Sequence, residues 1–230
     1  MKVKRVFILT IFPEFTKNIT DFSIIRKAIL RKKLEIEVVD FRDFAKKRQV
    51  DDYPFGGGGG MVLKVEPIVK GIEFIKTNYS LKETETKVIL LSPQGKIFTQ
   101  KKALLFARDK NNYIFVCGHY EGVDERIKNF IDQEISIGNY VLCGGEMAAM
   151  VITDCISRLI TGVISKESLF SETHNKDNYF DHASFTRPRS FMNFKVPEVL
   201  LNGNHKLIDE WRKKDSILRK KKFLKSKDKN

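Results

Sequence analysis

The amino-acid sequence predicts an α/β protein built on a mostly parallel β-sheet and followed by a small helical domain. Over residues 1–161, short apolar runs alternate with segments of helical periodicity, which is typical of such a sheet. A polar stretch without clear periodicity follows, and a second helical pattern then begins. We therefore expect an α/β domain over residues 1–161, a linker over 162–186 and a helical domain over 187–230.

The individual elements follow from local composition. Runs rich in β-branched and aromatic residues predict strands, and apolar residues recurring every three or four positions predict helices. The strands are predicted at 6–12, 35–41, 88–91, 113–117 and 134–137. The helices are predicted at 16–33, 66–78, 99–109, 123–131, 147–160 and 204–225. The residues 92–95 between the third strand and the next helix read as a loop.

The chain is strongly basic. It has 42 Lys and Arg against 29 Asp and Glu, a formal charge of +13 and a pI of about 9.6. This excludes a chain adapted to a cationic partner and favours nucleic acid, or less often an anionic membrane surface. Residues 212–230 hold ten basic and two acidic side chains. That end is consistent with a solvated tail and equally with a contact to an RNA backbone.

The cysteines indicate the compartment. Cys117, Cys143 and Cys155 are widely spaced and form no zinc-binding pattern. Sparse, unpaired cysteines are typical of reduced thiols, so we expect a cytoplasmic protein without a structural metal. No apolar run reaches the ~18 residues of a membrane span, so no membrane partner is expected. The apolar N-terminal segment lacks a small-residue cleavage site and is interpreted as a strand rather than a signal peptide.

Four glycine-bearing segments are candidates for ligand binding. Three follow predicted strand ends, at 91–95, 117–122 and 137–146, where ligands bind in open α/β sheets. The fourth, at 51–61, holds five consecutive glycines whose backbone could lie flat against a ligand or RNA, although a flexible turn has the same composition. The phosphate-binding patterns of dinucleotide enzymes and P-loop NTPases are absent from the sequence, which disfavours both classes and the ordinary Rossmann-type methyltransferases.

Several polar residues have ordinary structural explanations. Asp124 and Arg126 suit the first turn of a helix, and Asp154 can pair with Arg158 one turn later. The four histidines form no recognisable catalytic or metal-binding pattern.

These segments together resemble the bacterial tRNA (guanine-N1)-methyltransferases of the SPOUT class. The likeness extends over residues 6–212 in order and approximate spacing. It rests on the sequence segments at 11–14, 40–44, 51–61, 91–95, 117–126, 137–146, 154–158, 186–188, 196–201, 203–205 and 211–212.

The resemblance implies a trefoil knot in the C-terminal part of the α/β domain and a homodimer with two active sites at the subunit interface. It implies S-adenosylmethionine as methyl donor and, as partner, tRNA rather than DNA. The donor-binding residues implied are Leu91, Ser92, Pro93, Gln94, Gly95, Gly118, Tyr120, Glu121, Gly122, Ile137, Gly138, Asn139, Tyr140, Val141, Leu142 and Gly144. The implied RNA-binding residues are Asp51, Gly58, Gly59, Arg187 and Arg212. Leu90 is expected to line the same pocket.

The implied reaction is methylation of N1 of the guanine immediately 3′ of the anticodon. Because that N1 carries a proton, a general base is needed, and a cation near O6 stabilises the developing charge. Arg158 matches the family's catalytic arginine. The family's aspartate base is replaced, since an ungapped count reaches Thr173; we expect Glu172 to act instead, with Asp177 in reserve. Family members usually also need magnesium.

Two other functions stay open at this level. One is a knotted methyltransferase that acts on ribose 2′-hydroxyls or on another RNA. The other is a non-catalytic RNA-binding protein, which the missing aspartate favours and the three glycine-bearing loops disfavour.

Overall fold

The computed structural model describes residues 3–165, 168–169, 172–174 and 180–227. The chain divides into two compact units, Met1–Ile164 and Ser165–Asn230.

The first unit is an α/β domain. Its strands are β1 Lys4–Thr10, β2 Leu34–Asp40, β3 Asp51–Asp52, β4 Val62–Leu63, β5 Thr86–Ile97, β6 Asn112–Cys117 and β7 Gln133–Ser136. Its helices are α1 Pro13–Lys17, α2 Ser23–Leu30, α3 Val65–Asn78, α4 Gln100–Arg108 and α5 Glu146–Leu159. Short 3₁₀ helices connect them at Asn18–Asp21, Phe41–Phe44, Lys46–Arg48, Glu83–Glu85 and Glu125–Asn129.

Five of these strands form one parallel sheet in the order β2–β1–β6–β5–β7. The expected parallel α/β sheet is thus confirmed. Strands β3 and β4 form a separate antiparallel hairpin around the glycine segment, which the sequence did not predict.

The sheet has buried side chains on both faces, because side chains alternate along each strand. Phe7 and Leu9 of β1 pack on one face with Ile68 and Ile75 of α3. On the opposite face, helices α2, α4 and α5 cover the sheet, and α5 contacts both α2 and α4. The central strands are therefore rich in apolar residues, and β6 is buried at every position.

Two predicted helices differ in the structure. The helix expected at 16–33 is interrupted, because Phe22 adopts an extended conformation (φ −113°, ψ 141°) and Ser23 follows with φ of 48°. The helix expected at 123–131 is a 3₁₀ helix of five residues that begins at a capping aspartate, Asp124. The first segment thus forms short helices separated at Phe22, and the second forms a 3₁₀ helix instead of an α-helix.

Strand β5 also differs, since it continues through the predicted loop at 92–95. Leu91 and Lys96 both pair with Ile135 of β7, so the chain between them bulges away and returns to the same strand. Periodicity carried no sign of this bulge.

The second unit contains the long helix α6, His205–Lys227, and a 3₁₀ turn at Glu198–Leu200. It also holds an unpredicted hairpin of β8, Ser190–Phe191, and β9, Phe194–Lys195. None of the helices in the described residues is long and apolar enough to cross a membrane.

Candidate functional site

A cleft of about 370 Å³ opens at the carboxyl ends of β5, β6 and β7. All three glycine-bearing loops predicted from the strand ends meet there, as expected for parallel strands. Fourteen of the sixteen predicted donor-binding residues line it, and so does Leu90. The fourteen are Leu91, Ser92, Pro93, Gln94, Gly118, Tyr120, Glu121, Gly122, Ile137, Gly138, Tyr140, Val141, Leu142 and Gly144.

Gly95 and Asn139, the other two predicted residues, are not part of the lining. Gly95 has a structural role instead. A Cβ added there would lie 2.4 Å from the backbone nitrogen of Ile135 and 2.6 Å from the carbonyl carbon of Glu134. Only glycine therefore lets the bulge of β5 pass against β7.

The cleft has a predominantly acidic set of charged side chains. Glu121, Glu125 and Glu134 line it together with one lysine, Lys128, which pairs with Glu125. Glu134 was not among the predicted residues, although it lies on β7 directly beside Leu90 of β5. The arrangement suits a ligand with cationic groups.

Behind the cleft lies a buried polar group that sequence reasoning missed. Nε2 of His119 lies 2.7 and 2.8 Å from the two carboxylate oxygens of Glu146, the first residue of α5. The hydroxyl of Thr10, at the end of β1, donates to the same carboxylate. Burial alone would raise the pKa of Glu146, but the hydrogen bonds from His119 and Thr10 outweigh it, so the pKa lies below its usual value. The carboxylate is therefore ionised at neutral pH, and Nε2 carries the donated proton.

The glycine-rich segment lies at the rim of this cleft. The backbone N–H of Glu121 donates to the carbonyl of Met61 at 3.0 Å, and that of Leu63 donates to Gly122 at 3.0 Å. Asp51 begins the hairpin strand β3, and Gly58 and Gly59 are exposed. Four of the five glycines have positive φ, at 56, 57, 58 and 60, which side-chain-bearing residues rarely adopt. The loop conformation therefore requires the glycine run.

Arg158 lies far from the cleft of its own chain. It is in the last turn of α5, whereas Gly145 and Ala148 at the start of that helix line the cleft. At 1.5 Å per residue, the twelve residues from Glu146 to Arg158 span about 18 Å.

Apolar side chains are exposed along α5, the helix that also carries Arg158. Phe22 and Val151 are 66% and 41% exposed, although each is a large hydrophobic residue. They line a concave patch formed by α2, α5 and the turn before α2. The remaining members of the patch are Ile19, Ser23, Ile25, Met150, Asp154 and Cys155.

In the second unit, Arg187 and Arg212 line a common cleft of about 460 Å³. Arg189 and Trp211 line it as well, and they were not among the predicted RNA-binding residues. Glu172 belongs to the same unit and is partly buried. Asp177 lies outside the described residues. Within the described part of the chain, no group of three or more His, Cys, Asp or Glu side chains could hold a metal ion.

The chain is similar to known methyltransferases over nearly its whole length. A family model described as tRNA (Guanine-1)-methyltransferase TrmD matches residues 4–226. A tRNA (guanine-N(1)-)-methyltransferase of Dictyoglomus turgidum is 48% identical over 226 residues, which cover 97% of this chain and 89% of that protein. One of Clostridioides difficile is 47% identical over 216 residues, covering 93% and 92%.

Among solved structures, the crystal structure of tRNA (m1G37) methyltransferase from Aquifex aeolicus is similar, with a TM-score of 0.79 and 37% identity. The match covers 98% of this chain and 93% of that one. Since the family model spans nearly the whole chain and relatives close to half identical cover it, the chain belongs to the tRNA (guanine-N1)-methyltransferase family.

Proposed function

We propose that this methyltransferase transfers a methyl group from S-adenosylmethionine to N1 of the guanine immediately 3′ of the tRNA anticodon. The observation that carries the proposal is the convergence of the three glycine-bearing loops on one cleft, in a chain of this family. The similar Aquifex aeolicus protein is described as acting at position 37, the nucleotide immediately 3′ of the anticodon.

The residues of the cleft fit S-adenosylmethionine. Its volume of about 370 Å³ is within the range of small-molecule sites. Leu90, Leu91 and Leu142 offer apolar contacts, and Glu121 and Glu134 offer negative charge to the sulfonium and ammonium groups of the ligand. The bound group supplies an electrophilic methyl. The fourteen predicted residues that line the cleft would hold it.

The remaining chemistry belongs to side chains that act on guanine. Glu172 accepts the proton from N1, with Asp177 as the reserve base, because a neutral N1 is a poor nucleophile. Arg158 donates to O6 and stabilises the negative charge that develops there. A carboxylate suits the base role better than the neighbouring Thr173, because a hydroxyl does not deprotonate near neutral pH.

The enzyme works as a homodimer in this proposal. Two observations support it: Arg158 lies about 18 Å along α5 from the cleft end of that helix, and the apolar patch containing Phe22 and Val151 is exposed on α5 and the segment before α2. A second subunit would cover the patch and bring its Arg158 to the first subunit's cleft. The active site then takes the cleft from one chain and the arginine from the other.

Mixed dimers test this arrangement. One subunit carries Arg158→Ala, and the other carries Gly144→Val, whose added Cβ would lie 2.1 Å from the His119 ring. If sites are shared, the mixed dimer has one intact site and about half of wild-type activity, whereas each homodimer is inactive. An inactive mixed dimer would show that Arg158 serves its own chain.

The chain is threaded as a trefoil knot in this proposal. Its support is the family to which the chain belongs, whose resemblance implies the knot. Asp51, Gly58 and Gly59 at the cleft rim, and Arg187 and Arg212 of the second unit, contact the tRNA.

Methyl transfer from labelled S-adenosylmethionine tests the function. Two tRNA transcripts are compared, one with guanine and one with adenine immediately 3′ of the anticodon. We expect transfer to the guanine transcript alone, and Glu172→Gln should slow it by about 100-fold or more while leaving donor binding intact. Equal transfer to both transcripts would refute the assigned substrate. A full rate for Glu172→Gln would refute the assigned base and leave the substrate standing.

A further inference from the structure

A buried hydrogen-bonded group joins three separate chain segments behind the cleft. Glu146 is 4% exposed and Thr10 is fully buried. The carboxylate accepts from Nε2 of His119 and from the Thr10 hydroxyl, whose oxygen also accepts from the backbone N–H of Phe12 at 2.9 Å. The end of β1, the loop after β6 and the start of α5 thus meet at one ionised side chain.

The same contact fixes two of the cleft-forming loops relative to each other. His119 and Gly144 form an isolated antiparallel bridge, and the N–H of Gly145 donates to the carbonyl of Gly118 at 3.0 Å. A Cβ on Gly144 would lie 2.1 Å from the His119 ring and 2.5 Å from a carboxylate oxygen of Glu146. The ring can occupy this place only because residue 144 is glycine.

His119 connects this group to the cleft surface. It lines the cleft directly, whereas Glu146 and Thr10 do not. Its ring also packs edge-on against Phe12, with centroids 4.9 Å apart. Its two neighbours in the chain, Gly118 and Tyr120, also line the cleft.

We propose that Glu146 is a positioning residue for methyl-donor binding: it holds the His119 ring and thereby sets the loop 118–122 against Gly144 and Gly145. The inference rests on the proposed function, because it assumes that S-adenosylmethionine occupies this cleft. Without this partner the His119 ring would lose its hold on the loop, since hydrogen bonds to an ionised partner are among the strongest single contacts in a protein interior.

The test measures the dissociation constant of S-adenosylmethionine by calorimetry in the full-length protein, with kinetics alongside. Wild type must bind, and its failure to bind would refute the proposed function rather than this inference. Glu146→Gln keeps the shape of the side chain, and we expect donor binding about tenfold weaker, because the charged hydrogen bond is lost. At saturating donor, kcat should stay within a few-fold of wild type, so that the loss appears in KM.

A double mutant separates positioning from general stabilisation. If Glu146 acts through His119, Glu146→Gln should weaken binding by less than about twofold in a His119→Asn background. Independent, multiplied losses would overturn the proposal, and so would a lower melting temperature with unchanged donor affinity.

Two further variants serve as a control and as a substitute for Glu146→Gln. Glu66→Gln is the matched control, because Glu66 is also a first-turn glutamate of a 14-residue helix but is 72% exposed and pairs with Lys70. It should bind the donor as wild type does. If Glu146→Gln does not fold, Thr10→Val removes the other side-chain hydrogen bond to the carboxylate and so weakens the hold of Glu146 on the His119 ring. A weaker affinity for the donor supports the proposal, and an unchanged affinity overturns it.

Discussion

Replacing Gly95 by alanine should destabilise the α/β domain at the place where β5 passes β7. The added methyl would lie 2.4, 2.5 and 2.6 Å from three backbone atoms of Ile135 and Glu134, whereas ordinary contacts lie at 3.4–4 Å. The two segments must therefore separate by about 1 Å. Separating them costs free energy, because Leu91 and Lys96 both pair with Ile135 and these pairings would be disturbed.

The loss of folding free energy should be large, because the obstructing atoms belong to the backbone and not to a flexible side chain. Overpacking in a rigid interior typically costs about 1–3 kcal/mol, and the upper value is expected here. For a protein of this size, about 3 kcal/mol corresponds to a fall in melting temperature of about 6–12 °C. Donor binding should weaken as well, since the displaced segment 91–94 lines the cleft.

Thermal unfolding monitored by circular dichroism measures the effect. Gly59→Ala is the matched control for stability, because nothing lies within 4 Å of a Cβ added there and its φ is not in the left-handed region. It should melt within about 2 °C of wild type. Equal melting temperatures for Gly95→Ala and Gly59→Ala would refute the close passage of β5 against β7.

Three other predictions concern reactivity, pH and RNA. Exposed Cys143 should react with iodoacetamide before Cys117, because burial shields the Cys117 thiol and raises its pKa. Since Cys143 lines the cleft, S-adenosylmethionine should slow its reaction. Burial would raise the pKa of Asp40, but hydrogen bonds from Arg42 outweigh it and lower the pKa. The contribution of ionised Asp40 to folding stability is therefore present above the unfolded pKa of ~4 and is lost as the pH falls. Asp40→Asn should flatten the acid side of a curve of unfolding free energy against pH. Arg212→Ala should weaken tRNA binding and reduce the slope of log K against log salt by about one, measured by filter binding.

The sheet was predictable because its signal is local. The strand β6 is apolar at nearly every position, and β1 is apolar from Val6 to Leu9, as strands covered on both faces must be. The position of the cleft followed from a general rule, since loops at the carboxyl ends of parallel strands meet at one edge. The sequence alone therefore assigns the loops 91–95, 117–122 and 137–146 to one site.

What escaped prediction depends on contacts between distant parts of the chain. His119 and Glu146 are 27 residues apart, and neither their spacing nor their composition marks them as partners. The role of Gly95 arises only when β7 lies beside β5. The distance of Arg158 from the cleft could not be predicted either. It follows from the length of α5, because the cleft lies at the start of that helix and Arg158 in its last turn.

The most direct test of the central claim is the identity of the methylated nucleoside. Unmodified tRNA with guanine 3′ of the anticodon is incubated with the enzyme and S-adenosylmethionine, digested to nucleosides and examined by mass spectrometry against standards. The account predicts N1-methylguanosine, at one equivalent per tRNA. A 2′-O-methylated or base-methylated product of another kind, or bound but unmethylated tRNA, would contradict it.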